Sequence, residues 1–215
     1  MTWYSQFLLD KPVSDTLREA KEQYQSAAAP VTKTLIWIVL AVFASQVIAT
    51  TLLGARSIQV LAGGSFKLFP TLAWLLAPVL HAGIGHLVAN IGSLYVLGIP
   101  IEQYFSPRRF AFFIVATAYL STAGGWLLQS LFTSQQIAMY GISGTAFALG
   151  GFALVKYGTA EERLPAYQLF ALVLGLAALI IVAGDPFTGP YFHPDWINGG
   201  HVTGFLIGLI AGVWR

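Results

Sequence analysis

Six apolar stretches, charged only at their ends, divide this chain near 34–53, 74–97, 109–131, 142–156, 166–183 and 199–214. Each is long enough, or nearly so, to cross a hydrocarbon layer as a helix of about 20 residues. The pattern predicts an all-α membrane protein of six transmembrane helices. Residues 1–33 differ in kind: they are polar and mixed in charge, with Val13, Leu17 and Tyr24 at helical spacing and Ser14 or Thr16 as the expected cap. They read as a cytosolic segment forming a short amphipathic helix, ahead of a six-span domain over 34–215. With three bases against four acids before Lys33, this segment is a poor electrostatic anchor for lipid. Two loops stand out. Residues 54–73 are long and half apolar, and 184–198 is so rich in Pro, Gly and aromatics that a continuous helix is not expected there.

Basic residues orient the spans. With the N-terminus inside, Lys11, Arg18, Lys21, Lys33, Arg108, Arg109, Lys156, Arg163 and Arg215 fall inside, and only Arg56 and Lys67 fall outside. This satisfies the positive-inside rule, and an even number of spans puts both termini in the cytoplasm. Composition agrees: 56% of residues are hydrophobic and 9% charged, against about 25% charged in soluble domains. A net charge of +2 offers no nucleic-acid footprint. The lack of cysteine removes disulfides, a thiol nucleophile and Cys-ligated zinc. The first 30 residues read as neither signal nor transit peptide, which leans toward a prokaryotic plasma membrane.

Polar groups inside spans are costly and mark sites. Here they fall on the even-numbered spans: His81, His86 and Asn90 on the second, Gly141-Ile142-Ser143-Gly144 opening the fourth, and Asn198-Gly199-Gly200-His201 opening the sixth. Ser143 lies 13 positions before Lys156, and His201 lies 14 before Arg215. At ~1.5 Å per residue both sit roughly 20 Å above the inner boundary, about 10 Å below the outer surface of a ~30 Å layer. Gly200, Gly204, Gly208 and Gly212 form a ridge on the sixth span, and Ala146 and Gly150 a smaller one on the fourth. Such ridges let helices pack closely, as a serine-to-imidazole hydrogen bond between two spans requires. The Ser143 N–H at a helix start is an orphan donor suited to an oxyanion. His86 and Asn90, four apart, share a helix face. His81 is set about 140° from His86, so the pair is ill placed to chelate a metal, and His81 reads as structural. No acid lies on a span to orient His201, and Asp185 and Asp195 precede it in a loop, so a dyad is expected rather than a triad. His193 lies in that loop and carries no assigned role. No cofactor and no metal are expected.

Taken together, these motifs resemble the rhomboid family of intramembrane serine proteases. HAGIGHLVAN (81–90) looks like its second-span signature, GISG (141–144) its nucleophile motif and GHVTGFLIG (200–208) its last-span pattern. Gly98 and Glu102 match a glycine and a glutamate at the end of the second span. The resemblance implies a six-span rhomboid-like bundle and an endopeptidase that cleaves transmembrane segments of protein substrates in the bilayer. Ser143 would be the nucleophile and His201 the base. His86 and Asn90 would stabilise the oxyanion, with Gly141 allowing the tight turn there. The loop 184–198 would act as a movable cap and the fifth span as a lateral gate. The chain departs from the pattern at Leu75, where arginine commonly follows Trp74, at Ser106, where glycine is common, and at Phe147, which keeps an aromatic ring for stacking on His201 without a hydroxyl. Rival readings are a catalytically dead relative that binds transmembrane helices, a small transporter, and metallo- or diaspartyl membrane proteases. HExxH is absent, no two spans each carry an aspartate, and no paired half-repeat is visible.

Overall fold

The computed structural model describes residues 12–54, 72–132, 140–162, 164–188 and 198–214. Among these residues the chain is helical, with eight helices: α1 (Val13–Ser26), α2 (Pro30–Leu53), α3 (Leu72–Leu76), α4 (Ile84–Glu102), α5 (Pro107–Phe132), α6 (Ser143–Gly158), α7 (Ala166–Thr188) and α8 (Gly199–Val213). Three are long and apolar enough to cross a membrane: Pro30–Leu53, Ile84–Glu102 and Pro107–Leu128. Ala166–Val182 and Gly199–Val213 are shorter apolar helices.

The exterior is apolar to an extent that water would not tolerate. Trp37, Leu52, Phe112, Ile180, Ile210 and Leu206 are all exposed. A soluble fold would bury most of these side chains; here they form a surface suited to lipid. The interior is built from rings and branched aliphatics, with Phe110, Phe113, Ile114, Leu149, Phe152 and Leu172 packed around α6. Threonine hydroxyls inside the bundle turn back on their own helices or pair: Thr117 donates to the Phe113 carbonyl at 2.8 Å and meets Thr145 at 3.2 Å. In lipid such internal satisfaction is required, since no water completes the bonding.

One buried acid ties two helices together. The Glu102 carboxylate accepts from the backbone N–H groups of Val31 and Thr32, both at 2.8 Å, and from the Thr32 hydroxyl at 2.7 Å. Those N–H groups belong to the first turn of α2, where no intrahelical acceptor exists. Glu102 therefore acts as an N-cap supplied by another helix, with the dipole of α2 favouring its charge. Gly98 permits the approach, because a Cβ there would come within 2.8 Å of the Thr32 methyl.

Several expectations are corrected. The second span is not one helix over 74–97. It breaks into α3, a 3₁₀ turn at Ala77–Val79 and a non-helical stretch before α4. Pro78, in the turn, withholds an N–H from any longer helix. His81 thus lies before α4 and not on it, which brings its ring to 5.1 Å from that of His86. It is held as a structural residue: its N–H donates to Gln46 Oε1 at 3.1 Å, its carbonyl accepts from Gln46 Nε2, and its Nδ1 lies 3.1 Å from the Val79 carbonyl. Among the described residues no cluster suited to a metal occurs. Residues 184–188, expected in a loop, continue α7 to Thr188, two residues past Pro186. Residues 189–197 of that loop, with His193 and Asp195, lie outside the described residues, as does 55–71 of the loop between the first two apolar stretches. Leu75, in place of the common arginine, is exposed, and the segment is anchored through its backbone instead: the Tyr119 hydroxyl donates to the Leu75 carbonyl at 2.9 Å.

α1 is a helix, as its spacing predicts, but it packs through Thr16, Ala20 and Tyr24. Val13 and Leu17 are exposed. Small side chains at 16 and 20 let that face lie closest to the bundle. Its start carries no side-chain cap, and Pro12 precedes it. The Tyr24 hydroxyl donates to the Val96 carbonyl at 2.9 Å and the Tyr167 carbonyl at 3.1 Å. Val96 sits in a π-helical turn, Leu94–Gly98, whose wider pitch redirects carbonyls from the usual ladder. Burial pushes the Tyr24 phenol up, which keeps it a donor.

Candidate active site

Three helix starts converge. α6 begins at Ser143 itself, so the N–H groups of Ser143, Gly144 and Thr145 lack intrahelical acceptors. The residue before the start is fixed by Gly141, whose φ of 105° lies where side chains are strained and glycine is not. The Gly141 N–H donates to the Ala77 carbonyl at 2.8 Å, which pins this turn to the 3₁₀ turn before α4. α8 begins two residues before His201.

Ser143 Oγ and His201 Nε2 stand 3.1 Å apart, hydrogen-bond distance across two helices. The approach rests on glycine. A Cβ on Gly204 would overlap the Gly144 carbonyl, and one on Gly208 the Ala148 carbonyl. On α6, therefore, Gly144, Ala148 and Gly151 meet the α8 ridge. The expected Ala146–Gly150 face turns elsewhere: Gly150 packs against Ala178 and Gly175 of α7, and Ala146 lines the cavity described below. The helical rotation of 100° per residue separates the two faces. Phe147 stacks on the His201 ring with centroids 4.0 Å apart and planes 13° from parallel, so its ring holds the imidazole without a hydroxyl.

Asn90 and His86 face the same point from α4. A Cβ on Gly141 would lie 2.6 Å from His86 Cε1, 2.8 Å from His86 Nε2 and 3.3 Å from Asn90 Nδ2. Asn90 is buried, and its Nδ2 has no hydrogen-bond partner among the described residues. His86 Nδ1 receives a long contact, 3.5 Å, from the Ala82 N–H. An acceptor at Nδ1 leaves Nε2–H as the donor on the Gly141 side. Two side-chain donors and the Ser143 N–H thus gather beside the serine hydroxyl.

The site opens into a cavity of about 310 Å³, lined by His86, Asn90, Ser143, Phe147 and His201 at one end and by Leu97, Leu174, Ala177 and Ile181 along its length. It runs between α4 and α7, and beyond those site residues its lining is apolar except for Ser93. The arrangement brings together all five residues singled out in the sequence: Ser143, His201, His86, Asn90 and Gly141. Asn198 was named there at the opening of the sixth span but given no role. Its Oδ1 accepts the His201 N–H at 3.2 Å, and its Nδ2 lies 3.2 Å from His201 Nε2. An asparagine three residues before a helical histidine is an N-cap signature, which was the available signal.

Known proteins agree with this picture. The family model described as Rhomboid domain matches residues 70–215. RHOMBOID-like protein 2 of Arabidopsis thaliana is 36% identical over 134 residues, which is 62% of this chain and 38% of that protein. RHOMBOID-like protein 1 of the same plant is 33% identical over 135 residues, 61% of this chain and 32% of that protein. Rhomboid protease GlpG of Serratia proteamaculans (strain 568) is 28% identical over 144 residues, 66% of this chain and 47% of that protein. The matches therefore span about a third to a half of the relatives' own lengths. With its apolar exterior, its helical bundle and a family match covering most of its length, the chain is an integral membrane protein that belongs to the rhomboid family.

Proposed function

We propose that this protein is an intramembrane serine endopeptidase that cleaves transmembrane segments of other membrane proteins. The 3.1 Å contact between Ser143 Oγ and His201 Nε2, at the end of an apolar cavity, carries the reading. Ser143 attacks the scissile carbonyl carbon while His201 takes its proton, and the carbonyl oxygen becomes an oxyanion. His201 returns the proton to the leaving amine, and the C–N bond breaks. Water, deprotonated by His201, then releases the acyl chain from Ser143. The Ser143 N–H, the Asn90 amide and His86 Nε2–H are the oxyanion donors, each worth roughly 3 kcal/mol of barrier. Gly141 keeps the space beside them free of a Cβ.

The charge pattern supports six spans with both termini in the cytoplasm, residues 1–33 as a cytosolic segment before the six-span domain of 34–215, and a site in the outer half of a prokaryotic plasma membrane. A substrate helix hides its peptide bonds, so the favoured substrates unwind easily near the scissile bond. The cavity between α4 and α7 is the proposed lateral entrance. The test is cleavage of a transmembrane reporter co-reconstituted in liposomes, with the products located by mass spectrometry. Cuts inside the hydrophobic segment are expected. Intact reporter, or cuts only in its water-exposed flanks, would contradict the reading.

A further inference from the structure

A second polar group meets the imidazole of His201, and its chemistry selects a protonation state. Asn198 ends the approach to α8 and caps it, with Oδ1 accepting the His201 N–H at 3.2 Å. This contact fixes the orientation of the amide. A backbone N–H is only a donor, so the carboxamide atom facing it is the oxygen, and the NH₂ must face the ring. That Nδ2 lies 3.2 Å from Nε2, the same nitrogen that lies 3.1 Å from Ser143 Oγ. An amide NH₂ has no accepting capacity. Its contact with Nε2 is attractive only when Nε2 carries its lone pair, that is, when the ring proton is on Nδ1. With the proton on Nε2, two donors would face each other in a buried site. On the opposite side of the ring, Nδ1 is buried without a hydrogen-bond partner among the described residues. Among those residues no group at Nδ1 selects a tautomer, which leaves the choice to the groups at Nε2, Asn198 and Ser143.

We propose that Asn198 is a positioning residue that holds His201 as the Nδ1–H tautomer, with the Nε2 lone pair directed at the Ser143 hydroxyl. This rests on the reading of Ser143 as nucleophile and His201 as base. It supplies, from the helix cap itself, the tautomer control that an acid at Nδ1 would otherwise provide. It also acts later in the cycle. Once His201 has taken the serine proton, Nε2 is a donor and the Asn198 contact turns repulsive, which opposes uptake of the proton from Ser143 as much as it favours its release to the leaving amine.

The test uses the full chain in detergent micelles, with ¹⁵N-histidine NMR assigned by His201→Ala and with fluorophosphonate labelling rates. Asn198→Asp is the informative variant. It keeps the acceptor that caps α8, since aspartate caps as well as asparagine. It replaces the donor with a carboxylate oxygen, which calls for a proton on Nε2. The expected result is a wild-type ring protonated on Nδ1. Asn198→Asp should carry the proton on Nε2, label about ten-fold or more slowly and melt no lower than wild type. A purely structural cap predicts the reverse for labelling: the aspartate would preserve it. Asn198→Ala, which removes cap and donor together, should melt lower and show mixed tautomers. A wild-type ring protonated on Nε2, or an aspartate variant that labels at the wild-type rate, overturns the inference. Should wild type fail to label at all, the proteolytic reading fails, and the NMR alone still decides the tautomer.

Discussion

The two sides of the cleft at Ser143 are packed in opposite ways. Between α6 and α8 the backbones touch: Gly204 and Gly208 leave no room for a Cβ against the Gly144 and Ala148 carbonyls. Between α4 and α7 the same protein leaves a cavity of about 310 Å³ lined by Leu97, Leu174, Ala177 and Ile181. α7 is nevertheless fastened at one end, where Tyr24 of α1 bonds both the Val96 and Tyr167 carbonyls. The contrast separates two demands. In the proposed reaction the distance between nucleophile and base must be fixed, because a misplacement of about 1 Å can cost 10²-fold in rate. A substrate helix must also be admitted, which a close-packed wall would prevent. One seam serves each demand.

The comparison breaks most severely at the tight seam. Gly208→Val forces side-chain atoms into the Ala148 carbonyl, and overpacking of this kind costs about 1–3 kcal/mol or more. Probe labelling at Ser143 should fall at least 100-fold, with a lowered melting temperature in detergent. A variant that labels and melts like wild type would show that the glycine ridge does not set the dyad.

On the looser side, α4 carries the proposed oxyanion donors. Asn90→Ala should slow substrate cleavage by about 10²-fold, the cost of one oxyanion donor, while the melting temperature moves little. A rate change below three-fold would remove Asn90 from the oxyanion site. The open seam itself is tested by tethering it. The chain has no cysteine, so Ala89→Cys with Ile181→Cys can be joined by a bifunctional thiol reagent without side reactions. Cleavage of a membrane reporter should drop about ten-fold, and labelling by a small fluorophosphonate should be nearly unchanged. Equal loss of both would mean that the tether distorts the dyad and that the cavity is not the entrance. The smallest effect is expected at the fastening. Tyr24→Phe removes a buried donor to two carbonyls and should cost about 1 kcal/mol of stability, read as a modest drop in melting temperature with labelling retained.

Much of this contrast was legible in the sequence. Hydrophobic run length gave α2, α5, α6 and α8 to within a few residues, because a lipid-facing helix must be apolar along its whole length. Counting to Lys156 and Arg215 gave Ser143 and His201 a common expected depth, and the two lie side by side. What sequence alone could not give was rotation. Gly150 was assigned to the α8 seam and packs instead on α7, since the turn at Gly141 sets the azimuth of α6. Nor did an apolar run reveal the break before α4. Residues 77–83 lie within an apolar run, but Pro78 and the bonds of His81 to Gln46 hold them out of an α-helix. Asn198 was noted without a role because a cap is a local backbone device, and its proposed second role depends on a ring brought to it by the first turn of α8.

The account stands most directly on the reactivity of one hydroxyl. Full-length protein in liposomes should be treated with a fluorophosphonate, digested and analysed by mass spectrometry for the adduct. A single adduct on Ser143 is predicted, abolished in Ser143→Ala and reduced at least 10³-fold in His201→Ala, in line with the loss of a nucleophile's base. An adduct on another serine, or labelling of Ser143 that persists undiminished without His201, would contradict it.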